Sequence, residues 1–476
     1  AGDYVPGRVL AHVNDDFAPV SAYSSNGGGW SASNLYTFDP QPEAGAEADV
    51  PLARSMPTPE QVILIESGTQ STEDLLRDLA DTPGVLAAQP DYVRYIDDLE
   101  TQAKPVEEPA AALSADTAPT DDPLIGLQWH LAPTDEIAGA ANVETLWGDE
   151  GIPGRPWQGK EEVVVAVVDT GVDCTNPDLK DVMWENPGNI GLEGEHGYDY
   201  GMGDDDPMDN DGHGTHVAGI IAASVNNGEG VAGVAPNAKI MALRVANESG
   251  GFLTSAVLGA YSYMKKAAQA RVNLVAANNS WMGAGESPLL TEVMDDLYRS
   301  NGVLSVCASG NYAADLDQSL NLPAGAPTDG AIAVNAVDRE GRLASFSDYG
   351  AAATDLAAPG TDILSTAPQG QGIVDGDDPE LTVAFDDFES EDRMFSFQAS
   401  GDAEPSVSRA EVPQVVGDAP SQGVLMSIKQ AKAGQKASVV FTAKKGAVKQ
   451  GLAAADKTVD DLQCLAFDAG VAGRHA

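Results

Sequence analysis

Hydrophobic and polar residues follow four successive rhythms along the 476 residues, and each predicts different elements. From residue 1 to about 97, "RVLAHV" and "QVILIES" alternate as strands do, and "GVLAAQPDYVRYI" returns to that pattern. Between them "STEDLLRDLAD" reads as a helix, with Ser71 as its cap and acids in its first turn. The expectation is a small α+β unit. Residues 98–123, rich in Ala, Pro and acids, have no apolar period and read as an exposed linker. Residues 124–370 alternate continuous apolar runs ("EEVVVAVVD", "AKIMALRV", "VNLVAANNS", "GVLSVCASG", "AIAVNAV") with helical patterns such as "SAVLGAYSYMKKAAQ" and "LLTEVMDDLYRS". Strands apolar on both faces predict a parallel sheet covered by helices on both sides, an α/β fold. From 371 to 476 the short runs "LTVAF", "RMFSFQ", "VLMSI" and "ASVVFTA" predict a β-rich insertion or tail, which also holds seven of the thirteen lysines.

Charge narrows the function. With 73 acidic side chains against 26 basic ones the formal net charge is −47, a field that repels nucleic acid and anionic lipid. It suits a soluble protein in salty or calcium-containing surroundings. No apolar run is long enough for a membrane span. Cys174 and Cys307 lie in or beside apolar stretches and read as buried thiols; with Cys464 they allow at most one disulfide.

Chemistry gathers where apolar strands end, the usual place for function in a parallel sheet. "VVVAVVDTGVD" delivers Asp169 to such an end, and "DGHGTHVAGIIAAS" starts a helix at His213 among glycines that admit close approach. "GVLSVCASGN" ends at Asn311. An acid to orient an imidazole, a histidine to move protons and an amide to hold an oxyanion are parts of an acyl-transfer site. His216, one turn beyond His213, reads as a packed, hydrogen-bonded histidine, because helical zinc pairs want a spacing of four rather than three.

In order along the chain, "VVAVVDTGVDCTNPDL", "DGHGTHVAGI" with "GVAGVAPNAKI", "ASGN" and "ASFSDYG…DLAAPGTDILST" resemble the signature blocks of the subtilisin-like serine peptidases, over residues 124–368. The resemblance implies Asp169 as orienting acid, His213 as general base and Asn311 as oxyanion donor. It implies a groove lined by Asn278, Ser280 and Trp281 that offers backbone to an extended peptide, with Ala308, Ser309 and Gly310 walling a specificity pocket. Residues 1–97 resemble the inhibitory propeptides of such enzymes. A zymogen is therefore expected, blocked in cis by its own propeptide, activated by a cut in the acidic linker, acting on proteins or peptides, and secreted or surface-exposed.

Calcium is the expected cofactor. Asp199, Asp204, Asp205, Asp206, Asp209 and Asp211 crowd one loop, which suits a hard oxygen-seeking ion or simply a solvated surface. The resemblance also implies a site at Asp178 and Asn227 with the carbonyls of Val225, Glu229 and Val231. One block is missing. The family's nucleophile lies in Gly-Thr-Ser-Met-Ala, which the 476 residues do not contain, and Ser396, Ser400, Ser406 and Ser408 have the wrong surroundings for it. Without a serine the base and oxyanion donor have nothing to activate. The serine is expected beyond residue 476; the alternative is an inactive, peptide-binding relative.

Overall fold

The computed structural model describes residues 3–17, 30–39, 59–96, 120–150, 162–284, 287–319 and 321–368, and the backbone of five later strands between 380 and 443. The N-terminal unit has strands β1 (Tyr4–Val13), β2 (Trp30–Thr37), β3 (Gln61–Ser67) and β4 (Val85–Arg94), and helix α1 (Thr72–Ala80). The sheet is antiparallel, in the order β2-β3-β1-β4. Ser71 caps α1 by accepting from the Asp74 amide at 3.1 Å. Alternation along β1 splits its side chains between two cores. Val9, Ala11 and Val13 pack with Leu75 and Leu79 of α1. Leu10 points the other way, with Tyr36, Val62 and Leu64, into the main core of the molecule.

That main core belongs to the second unit. After α2 (Val143–Glu150) come β5 (Val163–Asp169), β6 (Gly197–Asp199), α3 (His213–Ala222), β7 (Ala238–Arg244), β8 (Phe252–Leu253), α4 (Thr254–Gln269), β9 (Leu274–Asn279), β10 (Gly283–Ala284), α5 (Pro288–Asn301), β11 (Leu304–Ala308), β12 (Asn321–Leu322), β13 (Ala331–Val337) and β14 (Leu356–Pro359). Seven of the strands form one parallel sheet in the order β14-β13-β11-β9-β5-β7-β6. Val164, Ala166 and Val168 of β5 face α4 and α5, whereas Val167 faces α3. Helices thus cover both faces, as the continuous apolar runs predict.

The two units share α4 and α5. Asp91 of β4 accepts from Ser255 N (2.9 Å) and Ser255 Oγ (2.7 Å) at the start of α4. Gln89 donates to Ser287 Oγ at 2.9 Å, at the start of α5. Asp91 therefore answers an unsatisfied first-turn amide of α4, while Gln89 holds the side chain of the residue that precedes α5. His12 of β1 joins the units as well, its Nδ1 lying 3.0 Å from Glu292 of α5. Its Nε2 is 2.9 Å from Glu60, close enough for an ion pair but not aligned as a hydrogen bond.

Of the expected linker, residues 120–123 are described, and Thr120 is buried. Asp122 is buried and accepts from the amides of Asn226 (3.0 Å) and Asn227 (3.3 Å). The rest of the linker, and Cys464, lie outside the described residues. In the tail, β15 (Glu380–Phe385), β17 (Glu404–Val412) and β18 (Ser421–Lys429) form an antiparallel sheet, and β16 (Phe395–Gly401) pairs with β19 (Ala437–Ala443). The tail is β-rich, as expected, and β17 is a strand that "EPSVSRAEV" does not announce.

Burial opposes charging of His12, but Glu292 and then Glu60 outweigh it and raise its pKa. A raised folded pKa means stability that is complete below the unfolded value of about 6.5 and is lost as pH climbs through the folded one. Between about pH 6 and pH 9 the melting temperature of the wild-type chain should fall more steeply than that of His12→Gln. Equal slopes would show that His12 does not act as a cation between the units.

Candidate active site

The site begins with the end of β5. Asp169, fully buried, uses Oδ1 to accept from the Thr170 amide (2.7 Å) and from His213 Nδ1 (2.7 Å). His213 opens α3 because the loop before it is tied from within. Asp209 Oδ1 accepts from the amides of Asp211 (2.9 Å) and Gly212 (3.0 Å), and its Oδ2 accepts from Thr215 N (3.0 Å) and Thr215 Oγ1 (2.6 Å). This carboxylate satisfies the first turn of the helix that carries the imidazole. Gly212, at φ 120°, makes the turn into α3. Gly214 allows the helix to touch β5: a Cβ there would collide with Gly171 O and press on the Asp169 side chain.

His213 keeps about one third of its side chain exposed, so Nδ1 is committed to Asp169 while the other edge of the ring is open. Burial disfavours its charged form, yet the Asp169 charge and hydrogen bond, backed by Asp211 and Asp209, overcome this and hold its pKa at about 9. His216 behaves differently. Its Nε2 lies 3.0 Å from Ile363 O, and burial lowers its pKa. It is a packed histidine, as the spacing suggests.

Asn311 follows β11 in a loop held along its length by Asp348. The Asp348 amide donates to Gly310 O at 2.8 Å, and its Oδ1 accepts from the amides of Tyr312 and Ala314, each at 2.8 Å. Ser309 Oγ donates to Asp348 O at 3.2 Å. Asn278 and Asn279 of β9 stand opposite Val306 and Cys307 of β11, which puts the ends of both strands beside that of β5. Sequence reasoning placed Asp209 only in the acidic loop offered to calcium, and gave Asp348 no role. Asx-turn spacing in "DNDGHG" was the available signal for the first.

The expected groove residues divide. Asn278 donates to Ser280 Oγ at 2.9 Å, and Ala308 is exposed. Ser309 and Gly310 are buried. The Trp281 side chain is only 1% exposed and sits in the core, with its ring 6.4 Å from that of Phe252, so position 281 presents backbone alone. Met282, the next residue, is paired: its amide donates to Tyr95 O and its carbonyl accepts from Tyr95 N, both at 3.0 Å. On the other side Val93 and Arg94 pair with Leu253 and Phe252. The end of the N-terminal unit thus lies as an added strand between β8 and Met282.

Two loops were expected to hold calcium. In the first, Asp199 is buried, 3.3 Å from Arg244 Nη1 and bonded to the Met202 amide, and Asp209 serves α3. Those carboxylates are already engaged. The carboxylates of the second loop are engaged as well. Asp178 Oδ1 accepts from Asn227 Nδ2 and its Oδ2 from the Val231 amide, both at 2.8 Å. Burial pushes Asp178 up to about 7, despite those two bonds, and nearby Asp122 and Glu229 add to the rise. Two buried carboxylates of like sign beside an amide and loop carbonyls are chemically compatible with a hard cation, whose charge would compensate theirs. Asp122 belongs to this set, although in the sequence it looks like the end of the linker.

A subtilase-family model (peptidase S8) matches residues 160–385. The thermophilic serine proteinase of Bacillus sp. (strain AK1) is 38% identical over 202 residues, covering 42% of this chain and 45% of that protein. The major intracellular serine protease of Bacillus subtilis (strain 168) is 35% identical over 225 residues, covering 47% and 63%. Subtilisin DY of Bacillus licheniformis is 36% identical over 207 residues, covering 43% and 67%. The chain thus spans less than two thirds of the first two relatives. With an Asp–His pair at the carboxyl end of a seven-stranded parallel sheet, the chain belongs to the subtilase family of serine peptidases.

Proposed function

We propose that the protein is a subtilisin-like serine endopeptidase made as a zymogen, and the observation that carries this is the 2.7 Å bond from His213 Nδ1 to buried Asp169. Asp169 fixes the tautomer of His213, leaving Nε2 to take the proton of a serine hydroxyl as that oxygen attacks a peptide carbonyl. The Asn311 amide donates to the oxyanion so formed, and His213 returns the proton to the departing amine. The serine comes from sequence that residues 1–476 do not supply, since no Gly-Thr-Ser-Met-Ala block occurs in them. Residues 1–97 act as the propeptide in cis; the Tyr95–Met282 pairing, which fills the strand-binding groove, supports this. Asp122, Asp178, Asn227 and carbonyls of the 225–231 loop hold a structural calcium. The protein works outside the cell on protein or peptide substrates. No helix among the described residues is long and apolar enough to cross a membrane.

A serine-directed phosphonate probe tests the enzyme reading. Residues 1–476 should neither label nor hydrolyse peptides, and a chain extended to include a Gly-Thr-Ser-Met-Ala block should do both. Silence of the extended chain would favour a peptide-binding relative that does not cut, and labelling of residues 1–476 would place the nucleophile among the serines set aside above.

The His213 imidazole, followed by NMR, should titrate at about 9. In Asp169→Asn it should fall toward the ordinary value of about 6.5. Because the base must be neutral to accept a proton, hydrolysis by the serine-bearing protein should rise with pH on the alkaline side. The pair's contribution to stability has the opposite trend, complete below about pH 6.5 and fading as pH rises through the folded value.

Millimolar calcium should raise the melting temperature over that in chelator, by up to ~3 kcal/mol of stability at a hundredfold excess over Kd. Asp178→Asn should remove the shift. No shift in the wild-type chain would dispose of the site.

A further inference from the structure

Arg94, the last residue of β4, carries a charged side chain that is 1% exposed. It leaves its own unit to reach the catalytic one. Its Nε donates to Thr254 Oγ1 and its Nη1 to Gly283 O, each at 3.3 Å. Thr254 is fully buried, and its hydroxyl in turn donates to Tyr92 O at 3.0 Å, so its lone pair is aimed at the guanidinium. A Cβ on Gly283 would lie 2.8 Å from both Arg94 Cγ and Nη1, so the glycine leaves the space this side chain occupies. On either side the backbone is paired, Arg94 with Phe252 and Tyr95 with Met282. The side chain is therefore seated by an added strand in fixed register.

The contacts suit an arginine in particular. A planar guanidinium carries its donors on separate nitrogens, so Nε reaches the hydroxyl while Nη1 reaches the carbonyl; an ammonium would have to make both contacts from one nitrogen, and an apolar side chain would make neither. Nη2 is buried without a hydrogen-bond partner among the described residues. Both acceptors are neutral, so the seat recognises the group without a counter-carboxylate. Burial accordingly lowers the pKa of Arg94 to about 10, which leaves it charged at neutral pH.

The geometry points to a guanidinium-accepting pocket, formed by Thr254 Oγ1, Gly283 O and the space over the Gly283 Cα, that selects extended peptides bearing arginine at the residue paired with Phe252. Arg94 is its occupant in cis. The inference rests on the groove reading above, in which the Val93–Tyr95 strand occupies the path of a substrate. It adds the chemical class of side chain favoured at one position.

The test uses the full chain and reads amide hydrogen exchange at Tyr95 and Met282, with β5 amides reporting global folding. Arg94→Ala should lower protection at Tyr95 and Met282 roughly tenfold, the scale of hydrogen bonds to a charged group, with β5 unchanged. Methylguanidinium at non-denaturing concentration should restore most of that loss, and methylammonium should not. Gly283→Ala, which fills the pocket from the other unit, should cause a similar loss; combined with Arg94→Ala it should add little, because the two changes act on one contact. Protection in Arg94→Leu equal to that of wild type would overturn the proposal by showing the seat to be apolar. Failure of methylguanidinium to discriminate would also overturn it. If Tyr95 and Met282 exchange freely in the wild-type chain, the groove reading falls as well, an outcome distinct from protected amides that ignore the guanidinium.

Discussion

A carboxylate taken wholly out of water at the end of β5 must find a donor there, and Asp169 finds the imidazole of His213. An unanswered buried charge costs several kcal/mol, so this one contact constrains all that surrounds it. α3 must begin in van der Waals contact with the end of β5 and the turn after it, where only a glycine at 214 leaves room. Its first turn must be held rigid, and Asp209 does so with four hydrogen bonds. The mutual dependence is electrostatic: the same acids that organise the helix keep the imidazole basic.

Much of this was legible in the sequence, for identifiable reasons. β5, β7, β9 and β11 are apolar on both faces, and such runs are hard to read as anything but strands of a covered sheet. Asp169 and His213 stand out because a carboxylate and a histidine have no apolar reason to end those runs. Other features were hidden. β2, "WSASNLYT", buries one residue fully along its length, so its alternation is too faint to detect. Trp281 looks like a groove residue because it follows polar "NNS", but its ring is in the core. Asp122 has an acidic, proline-bearing neighbourhood like a linker, and its partners at Asn226 and Asn227 lie about a hundred residues away. Local pattern carries no information about contacts of that range.

The two units are joined by chemistry unlike an ordinary surface contact. Lys265 of α4 and Asp296 of α5, both 5% exposed, pair at 2.7 Å, and the N-terminal unit completes the arrangement. Thr37 O accepts from Lys265 Nζ at 2.8 Å, and the Tyr36 hydroxyl donates to Asp296 at 2.8 Å. A buried ion pair gains most when its remaining lone pairs and protons are satisfied. Most of that satisfaction here comes from residues far earlier in the chain, so the larger unit is electrostatically complete only with its N-terminal companion in place.

The N-terminal sheet has helix α1 on one face and α4 and α5 on the other. Separating the units would turn Leu10, Val62, Leu64 and Tyr36 from core into surface and leave a unit of fewer than a hundred residues with the apolar packing of one face only. Domains of that size survive on narrow margins. The detached piece would sample open conformations readily and be cleaved by any peptidase nearby. Departure would then be hard to reverse: the two-sided burial of a small sheet works as a ratchet, in which the N-terminal unit is durable only while it is bound.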